Sequence, residues 1–191
     1  MKKRNTKTSP LSFADAAKLL SINDRRDRLL FACSLFLGLR GTSELCKLKW
    51  GDLLGESAMV WQPKTSKYRE LTIVPKLREI IEWSYEGQPK DNYIFTARRG
   101  SKGDKPMTNT GLNKVIRKWF DYFGITTRLN DSSHCLRKTF ALNYIKMNGD
   151  NIFSLERLRS NFGHADIKTT LRYADIEYER LTMEMKNIQY V

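Results

Sequence analysis

The chain has 191 residues, 40% of them hydrophobic, which is enough to bury a full core, most simply as one domain, although a two-part arrangement stays open. Thirty-four Lys and Arg against 21 Asp and Glu give a formal net charge of +13, which indicates a polyanionic partner such as nucleic acid, unless the lysines merely solvate the surface. The three cysteines are odd in number and lack the spacing of zinc ligands, which argues against a disulfide framework and a zinc site. The apolar run at 29–39 is too short to cross a bilayer and lacks the architecture of a leader peptide. We therefore expect a cytoplasmic protein with no membrane partner.

The amino-terminal part of the sequence predicts a tail followed by two helices. Residues 1–10, MKKRNTKTSP, are basic and polar without an apolar period, and predict a flexible tail that lies on phosphates. A Ser and an Asp three residues apart resemble a capping box at the start of a helix over 12–20. A second helix begins at an Asp and ends at a Gly over 24–38. The folded domain is therefore expected to span 11–191.

The middle of the chain predicts a β-hairpin. A short third helix is expected over 42–48, before a WGD turn. The segments AMVWQ at 58–62 and RELTIVP at 69–75 are rich in β-branched and aromatic residues, which is typical of strands. The polar link between them carries lysines, so the hairpin should have lysines at its tip.

The remaining sequence is predicted to be mainly helical. A last helix, at about 175–188, carries an apolar stripe that packs either on its own domain or on a neighbouring subunit. The pattern thus predicts a mainly α protein with a small antiparallel β-sheet (α+β). Helices are also expected over 76–85, 109–123, 135–147 and 154–162, and a flexible basic loop over 98–106.

Five short patches carry residues suited to phosphate chemistry. Each alone has an ordinary explanation: an arginine at a helix end meets the helix dipole, hairpin lysines aid solubility, and a single tyrosine usually packs in a core. Together, however, they follow a fixed order along the chain and contain both of its histidines. The patches are Arg40 in LGLRGTSEL, Lys64 in KTSKYR, His134 with Arg137 in HCLR, His164 in GHADIKTT, and Tyr173.

This ordered set resembles the catalytic domain of the tyrosine recombinase (phage integrase) family, and the resemblance covers roughly residues 11–185. The family pattern is an arginine in a G-L-R...S-E-L box, a hairpin lysine, H-x-x-R, G-H, and a tyrosine nine residues beyond that histidine. The boxes HCLRKTFA and FGHADIKTTLRYA are the most specific matches. Lys64 is chosen over Lys67 because it matches the first lysine of a K-x-x-K-x-R tip.

The arginine box departs from the family pattern by one residue. The family usually has a single residue between the arginine and Ser-Glu, whereas this chain has Gly41 and Thr42. The resemblance makes Glu44 a partner near the active-site histidine, and the extra residue leaves its position open. If the segment is helical, Arg40 and Glu44 still share a face, because positions four apart do so about as well as positions three apart.

The resemblance implies a site-specific recombinase or integrase that cleaves and rejoins DNA through a 3′-phosphotyrosyl intermediate, in integration, excision or inversion of mobile elements. Tyr173 would be the nucleophile, and His134 would help its phenol to lose a proton. The guanidinium forks of Arg40 and Arg137 match phosphate oxygens. Lys64 would protonate the departing 5′-oxygen, because the pKa of a lysine falls readily beside other cations. His164 would add a hydrogen bond to the phosphate, and no cofactor or metal is implied.

The implied partners are double-stranded DNA and further copies of the chain. The family acts as a tetramer on two duplexes, and accessory DNA-bending proteins are a further partner class. Only about ten residues precede the catalytic domain, so the chain is either a minimal recombinase or part of a longer protein. The residues expected to bind the DNA backbone are Lys67, Arg69, Arg98, Arg99, Lys102, Arg117 and Lys118.

Two other functions stay open at this point. A type IB topoisomerase uses similar chemistry on one duplex. The residues in the motif boxes, and the lack of a separate clamp that closes round the DNA, favour a recombinase. A non-catalytic DNA-binding protein on the same scaffold would not need all six catalytic candidates, and here all six are present.

Overall fold

A computed structural model describes residues 8–63, 66–97, 103–127, 132–149, 151–164 and 166–173. These residues form a mainly helical fold with one two-stranded antiparallel sheet, as the sequence predicts. No helix in the described ranges is long and apolar enough to cross a membrane. The elements are α1 (Phe13–Leu20), α2 (Arg25–Leu37), β1 (Ser57–Gln62), β2 (Lys67–Thr72), α3 (Pro75–Ser84), α4 (Asn109–Phe123), α5 (Ser133–Asn148), α6 (Ile152–Phe162) and α7 (Ile167–Tyr173), with short 3-10 helices at Leu45–Lys47 and Trp50–Asp52.

Local capping signals fix the ends of the first two helices. The Ser12 side chain accepts a hydrogen bond from the backbone of Asp15, and Asp24 does the same for Asp27. Helix α2 ends at Gly38, which has a φ of 62°. A Cβ at Gly38 would also lie 2.4 Å from the Phe140 ring, so only glycine fits there. This close approach lets α2 pack against α5.

The hairpin is confirmed, but its second strand is displaced from the predicted position. Strand β2 begins at Lys67 and ends at Thr72, whereas the sequence predicted a strand over 69–75. Pro75 starts α3 instead, because proline is favoured in the first turn of a helix, where its missing N–H costs nothing. Lys64, which the sequence predicts at the tip, lies outside the described residues.

The other differences are shifts of helix ends. The expected third helix shrinks to a single 3-10 turn, and α5 begins at Ser133 and therefore includes His134. Helix α6 begins two residues earlier than predicted, because Asn151 accepts a hydrogen bond from Ser154. The segments 1–7, 98–102 and 174–191 lie outside the described residues, and with them the predicted last helix.

Two apolar clusters position the functional elements. The larger one surrounds α2, whose side chains are buried on nearly every side. The smaller one joins α5 to α6, and Ile167 and Leu171 of α7 pack against it. Helix α7, which ends at Tyr173, is therefore held against α5, which carries the H-x-x-R box, and α6, which the G-H box follows.

Candidate active site

A buried carboxylate lies at the centre of the candidate site. The Glu44 side chain is completely buried, and its Oε1 lies 2.8 Å from Nη1 of Arg40. Its Oε2 lies 3.4 Å from both Arg69 Nη2 and Arg137 Nη1. Three positive groups around one negative group leave an excess of two positive charges. Such a surplus beside a surface groove attracts an anion.

The extra residue in the arginine box is absorbed by a wide backbone turn. The Leu45 N–H donates to the carbonyl of Arg40 at 2.9 Å, five residues back, and the Glu44 N–H donates to the same carbonyl at 3.1 Å. The turn brings the Glu44 carboxylate back onto Arg40, where Oε2 also accepts from the Arg40 backbone N–H at 2.8 Å. Arg40 and Glu44 are therefore in contact despite the insertion.

Gly41 makes this turn possible. A Cβ at Gly41 would lie 2.5 Å from Oγ of Ser133 and 2.9 Å from Cδ2 of Leu112. The turn therefore packs directly against the start of α5, one residue before His134. A larger residue at this position would push the arginine box away from the H-x-x-R box.

Two helix ends supply the other acceptors for the arginines. Arg137 Nη1 donates to the Gly38 carbonyl at 2.7 Å, beyond the end of α2. The Phe162 carbonyl, at the end of α6, accepts from Arg40 Nη2 at 2.5 Å and from Arg137 Nη2 at 3.2 Å. The last carbonyls of a helix lack partners within it and carry partial negative charge, so they hold cations well. The Phe162 ring also lies 3.9 Å below the Arg137 guanidinium.

The two arginines differ in their access to solvent. The Arg40 side chain is 31% exposed, whereas that of Arg137 is 2% exposed. Arg40 is thus the more accessible member of the pair.

His134 lies at the first turn of α5, one turn before Arg137. Although His134 as a residue is exposed, desolvation of its ring lowers its pKa below the usual 6.5, and the charge of Arg137 acts in the same direction. Lys138 and Arg40 add smaller effects of the same sign. The lowered pKa favours the neutral form of the imidazole at pH 7.

His164 is tied to the helix that ends at Tyr173. Its Nδ1 lies 3.0 Å from Oγ1 of Thr170, a fully buried residue on α7. Its carbonyl accepts from Arg159 Nη1 at 2.7 Å. Thr170 precedes Tyr173 by three residues, so one contact links the G-H box to the tyrosine helix. Sequence reasoning gave Thr170 no role, and the only available signal was the paired threonines between the two boxes.

Two openings adjoin the cluster. A groove of about 950 Å³ runs between the hairpin and the end of α6, beside Arg69 and His164. A polar cavity of about 350 Å³ opens beside Arg40 and His134. The cluster can therefore be reached by a ligand from the surface on both of these sides.

The residues expected to bind the DNA backbone are distributed more widely. Lys67 is exposed on β2 and lines the groove, whereas Arg69 points inward to Glu44 and donates to Asn161 Oδ1 at 3.0 Å. Lys118, on α4, has its ammonium 4.1 Å from the centre of the Trp119 ring. Arg117 is exposed on the same helix. Lys64, Arg98, Arg99 and Lys102 lie outside the described residues.

The chain is similar to known proteins over most of its length. Residues 9–180 match the phage integrase family. The chain is 28% identical over 159 residues to tyrosine recombinase XerC of Xanthomonas axonopodis pv. citri, covering 82% of this chain and 48% of that protein. It is 30% identical over 163 residues to XerC of Pseudomonas aeruginosa, with coverages of 82% and 50%. The chain thus spans about half the length of these curated relatives.

Solved structures show the same fold. The XerH site-specific recombinase bound to palindromic difH substrate aligns with a TM-score of 0.68 at 22% identity, over 94% of this chain and 53% of that chain. The XerA recombinase aligns with a TM-score of 0.69 at 21% identity, over 95% and 66%.

Proposed function

Because the chain belongs to the phage integrase family of tyrosine recombinases, we propose that it is a site-specific recombinase that cleaves and rejoins DNA strands in integration, excision or inversion. The observation that carries the proposal is the cluster around Glu44, in which Arg40 and Arg137 share a carboxylate and a helix-end carbonyl. It forms a preorganised site for a phosphate, which catalysis at a phosphodiester requires.

The proposed reaction is a transesterification at phosphorus. The phenol oxygen of Tyr173 forms a bond to the scissile phosphorus, and the bond from phosphorus to the 5′-oxygen breaks. The phenol proton passes to the neutral imidazole of His134, and Lys64 gives a proton to the departing 5′-oxygen. A 3′-phosphotyrosyl link and a free 5′-hydroxyl result, and attack by a 5′-hydroxyl reverses the step.

The two arginines offset the charge that develops on the phosphoryl oxygens. Each preorganised donor of this kind typically contributes about 100- to 1000-fold in rate. The Phe162 carbonyl accepts from both guanidiniums. We expect the phosphate to compete with this carbonyl for their N–H groups, beginning at the more exposed Arg40.

His164 is assigned a hydrogen bond to the same phosphate through Nε2. This role requires the tautomer that carries its proton on Nε2, in which Nδ1 accepts a hydrogen bond from the Thr170 hydroxyl at the observed 3.0 Å. Thr170 is thus a positioning residue that acts through His164.

The proposal extends to location and partners. We expect the protein to act in the cytoplasm on double-stranded DNA, as a tetramer on two duplexes. An apolar groove of about 850 Å³, lined by Phe36, Phe140 and Met147 among others, would receive the apolar stripe of segment 175–188 from a second copy. Removing residues 175–191 should then abolish assembly on DNA, and Met147→Glu should do the same. If either variant still assembles fully, the segment packs elsewhere.

Covalent trapping on a nicked DNA site tests the function. The wild-type protein should form a protein–DNA adduct that survives denaturation, whereas Tyr173→Phe should form none. Tyr122→Phe, which alters an exposed tyrosine on α4, is the matched control and should react like wild type. An adduct of normal yield with Tyr173→Phe would assign the nucleophile to another residue.

A further inference from the structure

The outer face of the hairpin carries an exposed aromatic pair. Trp61 and Tyr68 are cross-strand partners in the register of β1 and β2, and their rings meet edge to face at 5.1 Å. Trp61 is 41% exposed and Tyr68 is 62% exposed. Large aromatic side chains are usually buried, so a pair displayed side by side near a basic groove indicates a binding surface.

The strand alternation places this pair on the opposite face from the guanidinium cluster. Val60 is buried and Arg69 points toward Glu44, and these two residues are also cross-strand partners. Their neighbours Trp61 and Tyr68 must therefore project the other way. Tyr68 also borders the groove that contains Lys67 and His164. Tyr68 thus stands at the rim of the groove beside the proposed phosphate site, and Trp61 lies next to it on the part of the hairpin nearest its tip.

We propose that Trp61 and Tyr68 form a stacking surface for a DNA base next to the scissile phosphate. This inference rests on the proposed function and assigns part of its substrate contact. Aromatic rings bind bases through their π faces, while adjacent cations hold the backbone. Once a strand is cut, the bases next to the cut must leave their partners for exchange to proceed, and an exposed ring beside the groove can hold one of them.

The charge around the pair favours DNA over a second copy of this protein. The groove beside Tyr68 is lined by the cations Lys67, Arg69 and Arg159, with Glu70 as its acidic member. A chain with a net charge of +13 would repel a copy of itself there, whereas a polyanion is attracted. Stacking on aromatic rings is also tolerant of sequence, so the surface should accept any base.

The test combines a double variant with an abasic substrate. Trp61→Ala with Tyr68→Ala should weaken DNA binding by about 5- to 150-fold, the usual effect of losing a stacked base. Removing the base beside the scissile phosphate should weaken wild-type binding by a similar factor and leave the double variant unaffected. Trp83→Ala, which removes another exposed tryptophan, is the control and should behave like wild type. Unchanged thermal unfolding of the double variant would show that the fold is intact.

Two outcomes would overturn the inference. One is an equal loss of affinity on the abasic substrate for wild type and the double variant. The other is unchanged DNA affinity together with weaker self-association in sedimentation, which would assign the surface to a second copy. In both cases, an adduct formed by the wild-type protein through Tyr173 would leave the proposed function standing. If the wild-type protein formed no adduct, the proposed function itself would be contradicted.

Discussion

Replacing Glu44 with glutamine removes the negative charge at the centre of the cluster while keeping the shape of the side chain. Its carboxylate contacts Arg40 at 2.8 Å and both Arg69 and Arg137 at 3.4 Å. The variant leaves three guanidiniums close together without the charge of this carboxylate. Because Arg137 is 2% exposed, solvent cannot screen that charge well.

Removing one partner of a buried ion pair usually costs about 3 to 5 kcal/mol in the free energy of unfolding. For a chain of this size, 1 kcal/mol shifts the unfolding temperature by about 2 to 4 °C, so we expect Glu44→Gln to lower it by roughly 6 to 20 °C. DNA should restore part of the loss, since its phosphate supplies the missing negative charge. The stabilisation by DNA should therefore be larger for Glu44→Gln than for wild type.

Thermal unfolding with and without a DNA site measures both effects. The control is Glu79→Gln, which breaks an exposed pair with Lys76 at 2.6 Å that is worth at most about 1 kcal/mol. If Glu44→Gln unfolds within about 3 °C of Glu79→Gln, Glu44 does not hold the arginines together and the reasoning fails.

Further predictions concern the residues around the cluster. Thr170→Val should lower the cleavage rate with little change in DNA affinity, and Thr170→Ser, which keeps the hydroxyl, should cleave at the wild-type rate. Equal cleavage rates for the two variants would show that the hydroxyl does not position His164. Gly41→Ala should cost about 1 to 3 kcal/mol in stability, because its methyl group meets Ser133, and adding Ser133→Ala should recover part of that in chemical denaturation. Because the pKa of His134 is lowered, its imidazole stays neutral somewhat below pH 6.5. The rate of cleavage should therefore persist below that pH and then fall. A fall in rate that begins above pH 6.5 would contradict the role of His134 as the base. The same lowered pKa means that the unfolded chain binds the proton more readily, so this histidine should make the protein less stable as pH falls through 6.5.

Local signals made much of the fold predictable. Caps at Ser12 and Asp24 and the glycine at position 38 act within a few residues, so the sequence shows them directly. The predicted end of β2 was wrong because two local preferences compete near Pro75. The β-branched residues before it favour a strand, whereas the proline favours the start of a helix. The length and helical period of the apolar pattern over 109–123 predicted the bounds that α4 has in the structure.

Long-range contacts limited what could be foreseen at the site. Arg69 is 25 residues from Glu44 in sequence and 92 from Asn161, and a hairpin arginine looks like a surface cation until the fold brings those residues together. The wide turn at Gly41 was equally hidden, because its cause is a contact with Ser133 on α5. Motifs identified which residues matter, but not how Glu44 links them.

The proposed site is tested most directly by removing the negative charge of the scissile phosphate and measuring the rate of cleavage. Arg40→Ala should slow cleavage of an ordinary site by about 100- to 1000-fold. On a site whose scissile phosphate is replaced by a neutral methylphosphonate, the same substitution should have a far smaller effect, because less charge remains to be offset. An equal loss on both substrates would mean that Arg40 does not neutralise the phosphate, and the proposed site would have to be abandoned.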